Sequence, residues 1–333
     1  MEQGVLQLTL SWDRRQIVAA GVVSTRPAAA RALRGLPVAR VLEVVPRVFS
    51  ICRCAQEAAA RLACYAARGQ RPAPALSAVL ARAVACEAIG EHLWRLLLDC
   101  PQLCAQPVRQ SEFLSWRKGL LAVVDEATAA AFGARLAAWL DDEKLPLADA
   151  RTTHAAVPLL PCLTAAEWRA HLVAAAVVGL PTFAGQVAET GALARHAEDR
   201  AVAALLNGGQ RLQARLAARY ADLRWLAQGL VEPARLATWL DAAELAEGGG
   251  LARVETARGT LLHAIELAGE RVARYVIVAP TEWNFHPQGA FVHEIRGRAA
   301  RTRAEAEQAA RRVALSLDPC VPCEVLVKEL EDA

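Results

Sequence analysis

Aromatic residues are sparse in this 333-residue chain, with three tyrosines and six phenylalanines, and charge of neither sign predominates. The 38 basic residues against 35 acidic ones leave a net charge of +3, too small an excess to predict a nucleic-acid footprint or a membrane-surface patch. The first residues, MEQGVLQLTLSWDRR, lack a basic stretch followed by a long apolar run, so no signal peptide is expected. The longest apolar run, Leu172 to Leu180, is closed by Pro181 and is too short to cross a bilayer, so no membrane insertion is expected either. There is no internal repeat and no low-complexity tail. The chain reads as soluble and cytoplasmic.

What is present is a globular composition, 54% hydrophobic and 22% charged, with Ala–Leu–Arg–Glu stretches that lean towards helix. Residues 5–23 alternate around the polar turn Asp13-Arg14-Arg15 and predict a β-hairpin. A short helical link over 26–46 is expected to end at Pro46. A helix from Ala55 to Arg68 is stopped by Gly69 and Pro72. A long amphipathic helix follows over 75–99, with Leu76, Leu80, Val84, Ile89, Leu93 and Leu97 near helical spacing. Helical patterns continue through 111–141, 164–179 and 192–228. After Gly248-Gly249-Gly250 the period drops to two, giving three strand-like runs (ARVETA, TLLHAIEL, VARYVIVAP), the last two turning at Ala268-Gly269-Glu270. A charged helix over 301–317 and a last strand, EVLVKEL, complete the chain. The expected fold class is α+β, mostly helical, as one domain. A hairpin region (1–50), a helical core (51–247) and a β-rich C-terminal part (248–333) make it up, and the strands at the two chain ends are expected to pack together.

Nine cysteines, at 52, 54, 64, 86, 100, 104, 162, 320 and 323, make an odd number. In a reducing compartment that argues for buried thiols and a metal site over a disulfide framework. Cys64, Cys86, Cys100, Cys104 and Cys162 sit in apolar, mostly helical surroundings and read as small buried hydrophobes. The sharpest local feature is Cys320-Val321-Pro322-Cys323. Two thiolates at that spacing either chelate one metal or form a redox pair. Here a helix precedes the motif and a strand follows, the reverse of the order in thioredoxin-like proteins, which demotes the redox reading. A structural zinc site needs four ligands, and no second CxxC supplies them.

A second cluster, Pro46-Arg47-Val48-Phe49-Ser50-Ile51-Cys52-Arg53-Cys54-Ala55-Gln56, completes a pattern. Arg47 to Gln56 resembles the R-x-C-G-x-C-x-x-x-H of nickel-dependent hydrogenase large subunits, and Asp318 to Cys323 resembles their D-P-C-x-x-C-x-x-H. Glu189 to Arg195 (ETGALAR) is similar to their E-x-G-P-L-A-R. Glu255 to His263 (ETARGTLLH) resembles their E-A-P-R-G-x-L-x-H, and Pro280 to Asn284 resembles their P-S/T-x-W-N. Five motifs in the family's order, spread over residues 47–323, are more specific than any one alone.

The resemblance implies a thiolate set around nickel and iron. It assigns Cys52 and Cys323 to the places that bridge the two metals and Cys320 to a terminal nickel place. Phe49 stands where the other terminal thiol belongs, and Gln56 where the N-terminal motif has its histidine. Losing a terminal thiolate weakens nickel most, so nickel binding is possible but the site is incomplete. Nothing in LQLTLSWDRRQI matches the family's proton-relaying glutamate, which argues against catalysis. Leu326 replaces the basic residue at which catalytic subunits are cleaved, so no processing is expected. Arg258 and Thr281 match the residues that donate hydrogen bonds to the cyanide ligands of the iron, a sensible pairing of a guanidinium with an anionic group. Ala257 replaces a proline, and Asp318 keeps the acidic place before the last cysteines.

An iron pocket retained while nickel and proton machinery are lost is the pattern of the HupK-type hydrogenase expression/formation proteins, which the chain resembles along nearly its whole length. The implied role is a non-catalytic scaffold that transiently holds an Fe(CN)2CO group. The implied partners are maturation factors of the HypC and HypD type and the hydrogenase large subunit. A metal-free adaptor or chaperone is the alternative, and an active nickel–iron hydrogenase a third reading that the missing glutamate disfavours. Cys54, His92, His263 and His286 read as structural, and the eight tryptophans as mostly core. The charge run 296–312 reads as a solvated helix face with i,i+4 pairs Arg301–Glu305 and Glu307–Arg311.

Overall fold

The computed structural model describes residues 4–27, 29–103, 106–143, 156–172, 180–245 and 248–330. Strand β1 (Leu6–Trp12) buries Leu6, Leu8, Leu10 and Trp12 on alternate positions. Each such burial contributes roughly 1.5–3 kcal/mol, which fixes the strand's register. It pairs antiparallel with β2 (Ile17–Ser24) and parallel with β7 (Cys323–Glu329), Leu6 opposite Cys323, so the two chain ends share one sheet of order β2-β1-β7.

The helical body follows. A 3-10 turn (Ala29–Leu33) leads to α1 (Val38–Val48), then α2 (Arg53–Ala67), α3 (Pro74–Trp94), a π-helical turn (Arg95–Asp99) and α4 (Cys100–Leu103). Next come α5 (Gln110–Leu121), α6 (Glu126–Asp142), α7 (Ala165–Leu172), α8 (Ala192–Arg195), α9 (Arg200–Asn207), the long α10 (Arg211–Val231) and α11 (Pro233–Leu236). An antiparallel meander, β3 (Leu240–Glu244), β4 (Gly249–Thr256), β5 (Gly259–Ala268) and β6 (Arg271–Val278), packs on this body. Finally α12 (Pro280–Asn284), α13 (Ala290–Ile295) and α14 (Arg303–Leu317) lead back to β7. With 55% helix and 20% strand, the fold is α+β and mostly helical, as expected.

Several boundaries differ from the sequence pattern for local reasons. Pro46 does not end α1 but lies buried in its last turn, where the missing N–H removes a single bond. The expected helix over 111–141 is two helices, because Asp125 and Thr128 form a reciprocal capping box that starts α6. β3 has no β-branched residue in LDAAE to announce it. Residues 173–179, the centre of the long apolar run, and Cys104 lie outside the described residues. Among the described residues no helix is long and apolar enough to cross a membrane.

The approach of α2 to β4 sets the position of the first cysteine. All eight residues of β4 are buried, and α2 offers it a face of alanines that includes Ala59, Ala60, Ala63 and Ala67. At Gly250 the backbones come so close that an added Cβ would lie 2.1 Å from the carbonyl oxygen of Ala63. Glycine there is required by contact, not by turn geometry. Gly250→Ala is therefore expected to lower stability by about 1–3 kcal/mol, the cost of overpacking. Urea unfolding monitored by circular dichroism tests this; an unchanged midpoint would show that α2 moves away freely.

Candidate functional site

Arg258 stands at the tip of the β4–β5 hairpin, whose loop is only Ala257 and Arg258. Thr256 Oγ1 accepts the N–H groups of Arg258 (3.1 Å) and Gly259 (3.2 Å), and Gly259 adopts φ 130°, a conformation open mainly to glycine. The tip is buried against the ETG segment: Thr190 Oγ1 accepts the Thr260 N–H at 3.0 Å, while the Thr190 N–H donates to Asn284 Oδ1 at 2.9 Å. Asn284 in turn donates to the carbonyl of Leu317 at 3.3 Å. Four segments separated in sequence, at 189–191, 256–260, 280–284 and 317–320, are thus tied by direct hydrogen bonds.

Asp318 is the knot. It caps α14 with φ 56°, and its N–H returns to the carbonyl of Ala314 at 3.0 Å. This left-handed position at a helix end usually falls to glycine, and aspartate is among the few side chains that tolerate it. Its buried carboxylate accepts Arg95 Nε at 2.8 Å and Arg219 Nη1 at 2.9 Å, with Arg258 Nε 3.4 Å away. Burial alone pushes such a carboxyl up; Arg258, Arg219 and Arg95 outweigh it and hold Asp318 well below its ordinary range. Behind Arg219, His92 Nδ1 lies 3.2 Å away, and His92 Nε2 pairs with Asp222 at 2.8 Å, which also holds Arg195 and His196. His92 is thus structural, as expected, but as a polar hub rather than by helix packing.

The turn at Asp318 delivers Cys320 to a cavity of about 770 Å³. Thr281 donates its hydroxyl to Cys320 Sγ at 3.1 Å and accepts the Cys320 N–H at 3.3 Å. Cys52, at the start of α2, lines the same cavity, as do Arg258, Thr281, Gln56 and Phe49. Cys52 receives a hydrogen bond from Gln56 Nε2 at 3.6 Å, and Gln56 Oε1 lies 3.0 Å from His263 Nε2. Burial pushes His263 down to about 3, so it is neutral. It then donates from Nε2 to Gln56 and accepts from Tyr275 at Nδ1, 2.9 Å away. The chain Tyr275–His263–Gln56 therefore ends in a donor aimed at sulfur. Burial, then the neighbouring Cys320 and Glu91, push the Cys52 thiol up to about 12.

Arg258 donates to Glu91 Oε2 on α3 at 2.5 Å, and its charge is stabilised further by Asp318 and Cys320. Its Nε is buried and makes no aligned hydrogen bond. One turn before Glu91, Glu87 accepts the N–H groups of Cys54 (2.7 Å) and Ala55 (3.0 Å), capping α2, and burial with Glu91 beside it raises its carboxyl to about 7.

Of the residues singled out from the sequence, Cys52, Cys320, Arg258 and Thr281 share the cavity, and Asp318 lies buried beneath it. Cys323 does not face it. It opens onto a separate hollow of about 250 Å³ with Arg95, Asp99 and Arg311, and burial pushes its thiol up to about 12. Among the described residues no three His, Cys, Asp or Glu side chains converge as a metal site. Cys162 is exposed, not a buried hydrophobe as expected, because the segment before α7 runs over the surface; Cys64 and Cys100 are buried. The Glu307–Arg311 pair is present at 3.7 Å, whereas Glu305 turns back to the Arg301 N–H. Trp94 is exposed, but Trp12, Trp116, Trp168, Trp239 and Trp283 are core. Glu87, Glu91, Arg95 and Arg219 escaped the sequence reading. The available signal was Glu87 and Glu91 spaced i,i+4 on a helix whose other inward positions, His92 apart, are apolar.

The architecture is that of a nickel-dependent hydrogenase large subunit. It superposes on the reduced, active Ni-Fe-Se hydrogenase of Desulfomicrobium baculatum with a TM-score of 0.69, at 13% identity, over 93% of this chain and 95% of that one. The Ni-Fe-Se hydrogenase of Desulfovibrio vulgaris Hildenborough gives 0.67, at 15% identity, over 92% and 93%. The family model described as nickel-dependent hydrogenase matches residues 226–326. In sequence the chain is 32% identical to the hydrogenase expression/formation protein HupK of Rhizobium leguminosarum bv. viciae, over 99% of this chain and 98% of that protein. It is 32% identical to HupK of Bradyrhizobium diazoefficiens, over 89% of each, and 29% identical to HoxV of Cupriavidus necator, over 91% of each. The chain belongs to this HupK/HoxV family of hydrogenase expression/formation proteins.

Asp318→Asn is expected to cost about 3–5 kcal/mol, because it leaves buried guanidinium groups without their anion. Lowered carboxyl values also set the sign of the acid response: the stability they contribute is complete above the ordinary value and is lost as pH falls through the folded one. For Asp318 the loss begins near 3.8, and for Glu189, held down by Arg215 and Arg211 against burial, it runs from 4.5 to about 2. Urea midpoints between pH 7 and pH 3 should fall less steeply in the variant; identical slopes would refute the assignment.

Proposed function

We propose that this protein is a non-catalytic accessory factor of nickel–iron hydrogenase maturation that transiently holds an Fe(CN)2CO group on its way to the large subunit. The observation that carries this reading is the convergence on one cavity of two thiols, Cys52 and Cys320, with the buried, incompletely bonded guanidinium of Arg258 and with Thr281. Soft thiolates suit low-spin iron. Arg258 offers a charge-assisted donor to an anionic diatomic ligand, and Gln56 and Thr281 place hydrogen-bond donors against the two sulfurs. Asp318 acts through Arg258, holding its orientation. The group is cargo, and the thiolates, the guanidinium and the hydroxyl are what the chain supplies to receive it.

Phe49 stands where the resembled family has a terminal nickel thiolate, and Gln56 where its N-terminal motif has a histidine, so nickel is at most a weak occupant. Maturation factors of the HypC and HypD type and the large subunit are the partners this role requires. The metal-free adaptor is the second reading, and the observation in its favour is the placement of Cys323 in a hollow separate from the cavity of Cys52 and Cys320.

An infrared spectrum of the protein purified anaerobically from a host with intact hydrogenase maturation tests the proposal. Cyanide and carbonyl stretching bands are expected, absent in Cys52→Ala and in Cys320→Ala and retained, at reduced intensity, in Cys323→Ala. A blank spectrum from folded wild-type protein would overturn the iron reading in favour of the adaptor.

A further inference from the structure

The cavity is much larger than its cargo. Taking each diatomic ligand as about one water's ~30 Å³, an iron group with three of them fills roughly 100 Å³ of the 770 Å³ available. The remaining space is that of a ligand the size of a short peptide. Its walls carry four arginines, Arg26, Arg40, Arg47 and Arg258, and among the lining residues there is no aspartate or glutamate. Arg40 shares its charge with Glu43 at 2.7 Å, and Arg258 with Glu91. Arg26 and Arg47 have no such ion pair among the described residues, and Arg26 Nη1 is buried without a hydrogen-bond partner. Glu282, whose carboxyl feels the charge of Arg26, is itself pushed up by burial.

A small anion would satisfy the arginines and leave the rest of the wall bare. That rest is apolar: Val44, Val48, Phe49 and Val321 line the cavity between the charges, and Ile51 at its rim is 52% exposed. Cationic and apolar surface interleaved along one concavity matches a chain segment that alternates carboxylate and apolar side chains. The arginines also come from different parts of the fold, Arg26 beyond β2 and Arg47 in the last turn of α1, and share one lining with Cys52 and Cys320.

We infer that the mouth of this cavity is the docking groove for an acidic, apolar-bearing segment of a partner protein, recognised by Arg26 and Arg47 and laid beside the two thiols. This rests on the receiving role proposed above, since it names the kind of partner surface that role needs. A like-charge segment is excluded by the same arginines.

The test uses the full chain and a short fluorescein-labelled peptide of alternating glutamate and leucine, read by fluorescence anisotropy. Binding is expected, weakening as salt is raised, with the lysine–leucine counterpart bound far more weakly. The double variant Arg26→Gln, Arg47→Gln should lose about tenfold or more in affinity. Ile51→Glu, which puts a repelling carboxylate on the rim without touching either arginine, should lose affinity too, while Arg31→Gln on the 3-10 turn should bind as wild type. Equal binding of the lysine peptide, or undiminished affinity in both groove variants with native circular dichroism, would overturn the inference. Complete displacement by low-millimolar inorganic phosphate would reassign the groove to a small anion and overturn it as well. Peptide binding without infrared bands would leave this inference standing and sink the iron reading; bands without peptide binding would do the reverse.

Discussion

A carboxylate withdrawn from water is unstable as an anion unless opposite charge reaches it, and Asp318 is reached from three directions. Arg95 comes from the π turn after α3, Arg219 from the middle of α10, and Arg258 from the β4–β5 hairpin. Each arginine belongs to an element with its own hydrophobic packing. The single buried anion therefore decides how those elements sit relative to one another where the last cysteines begin. The left-handed backbone at Asp318 adds direction: it turns the chain out of α14 so that Cys320 meets Thr281 and Cys323 enters β7 against β1. If the anion is removed, both the hairpin tip and the cysteine turn lose their common anchor.

The same arrangement sets the sign of the cavity. Glu91 and Asp318 balance the charge of Arg258, while Arg26 and Arg47 line the same cavity with no ion pair among the described residues. The lining is thus cationic at Arg26 and Arg47 and nearly balanced at Arg258.

How much of this was legible in the sequence depends on the range of each interaction. The β1–β2 hairpin, α2, the β4–β6 meander and the last strand follow from periodicity and turn residues, which are local. The motif residues Cys52, Arg258, Thr281 and Cys320 were readable because their spacing resembles a known family. Their supports were not. Glu91 looks like one more charged residue on a helix until the hairpin tip arrives 167 positions later to pair with it. Arg219 sits on a helix rich in arginines, and only the fold tells which of them faces Asp318. The face on which Cys323 lies depends on the register of β7 against β1 at the other chain end. A spacing pattern does not contain that information.

The family places that this chain leaves vacant also have a consistent physical meaning on the proposed reading. A catalytic subunit needs its metal centre to stay, and the four thiolates of the resembled family provide that. A carrier must release what it binds, and each missing donor speeds departure. Here Phe49 offers no sulfur, Cys323 faces away, and the two remaining thiols sit beside a wide cavity whose lining has room for a partner's chain. On that reading retention is left to two thiolates in place of four, aided by hydrogen bonds from Arg258 and Thr281 that are worth far less than metal–thiolate bonds and are readily exchanged for those of a new host. The retained second set of contacts and the reduced first set thus fit one requirement: recognition of the iron group strong enough to receive it and coordination weak enough to pass it on.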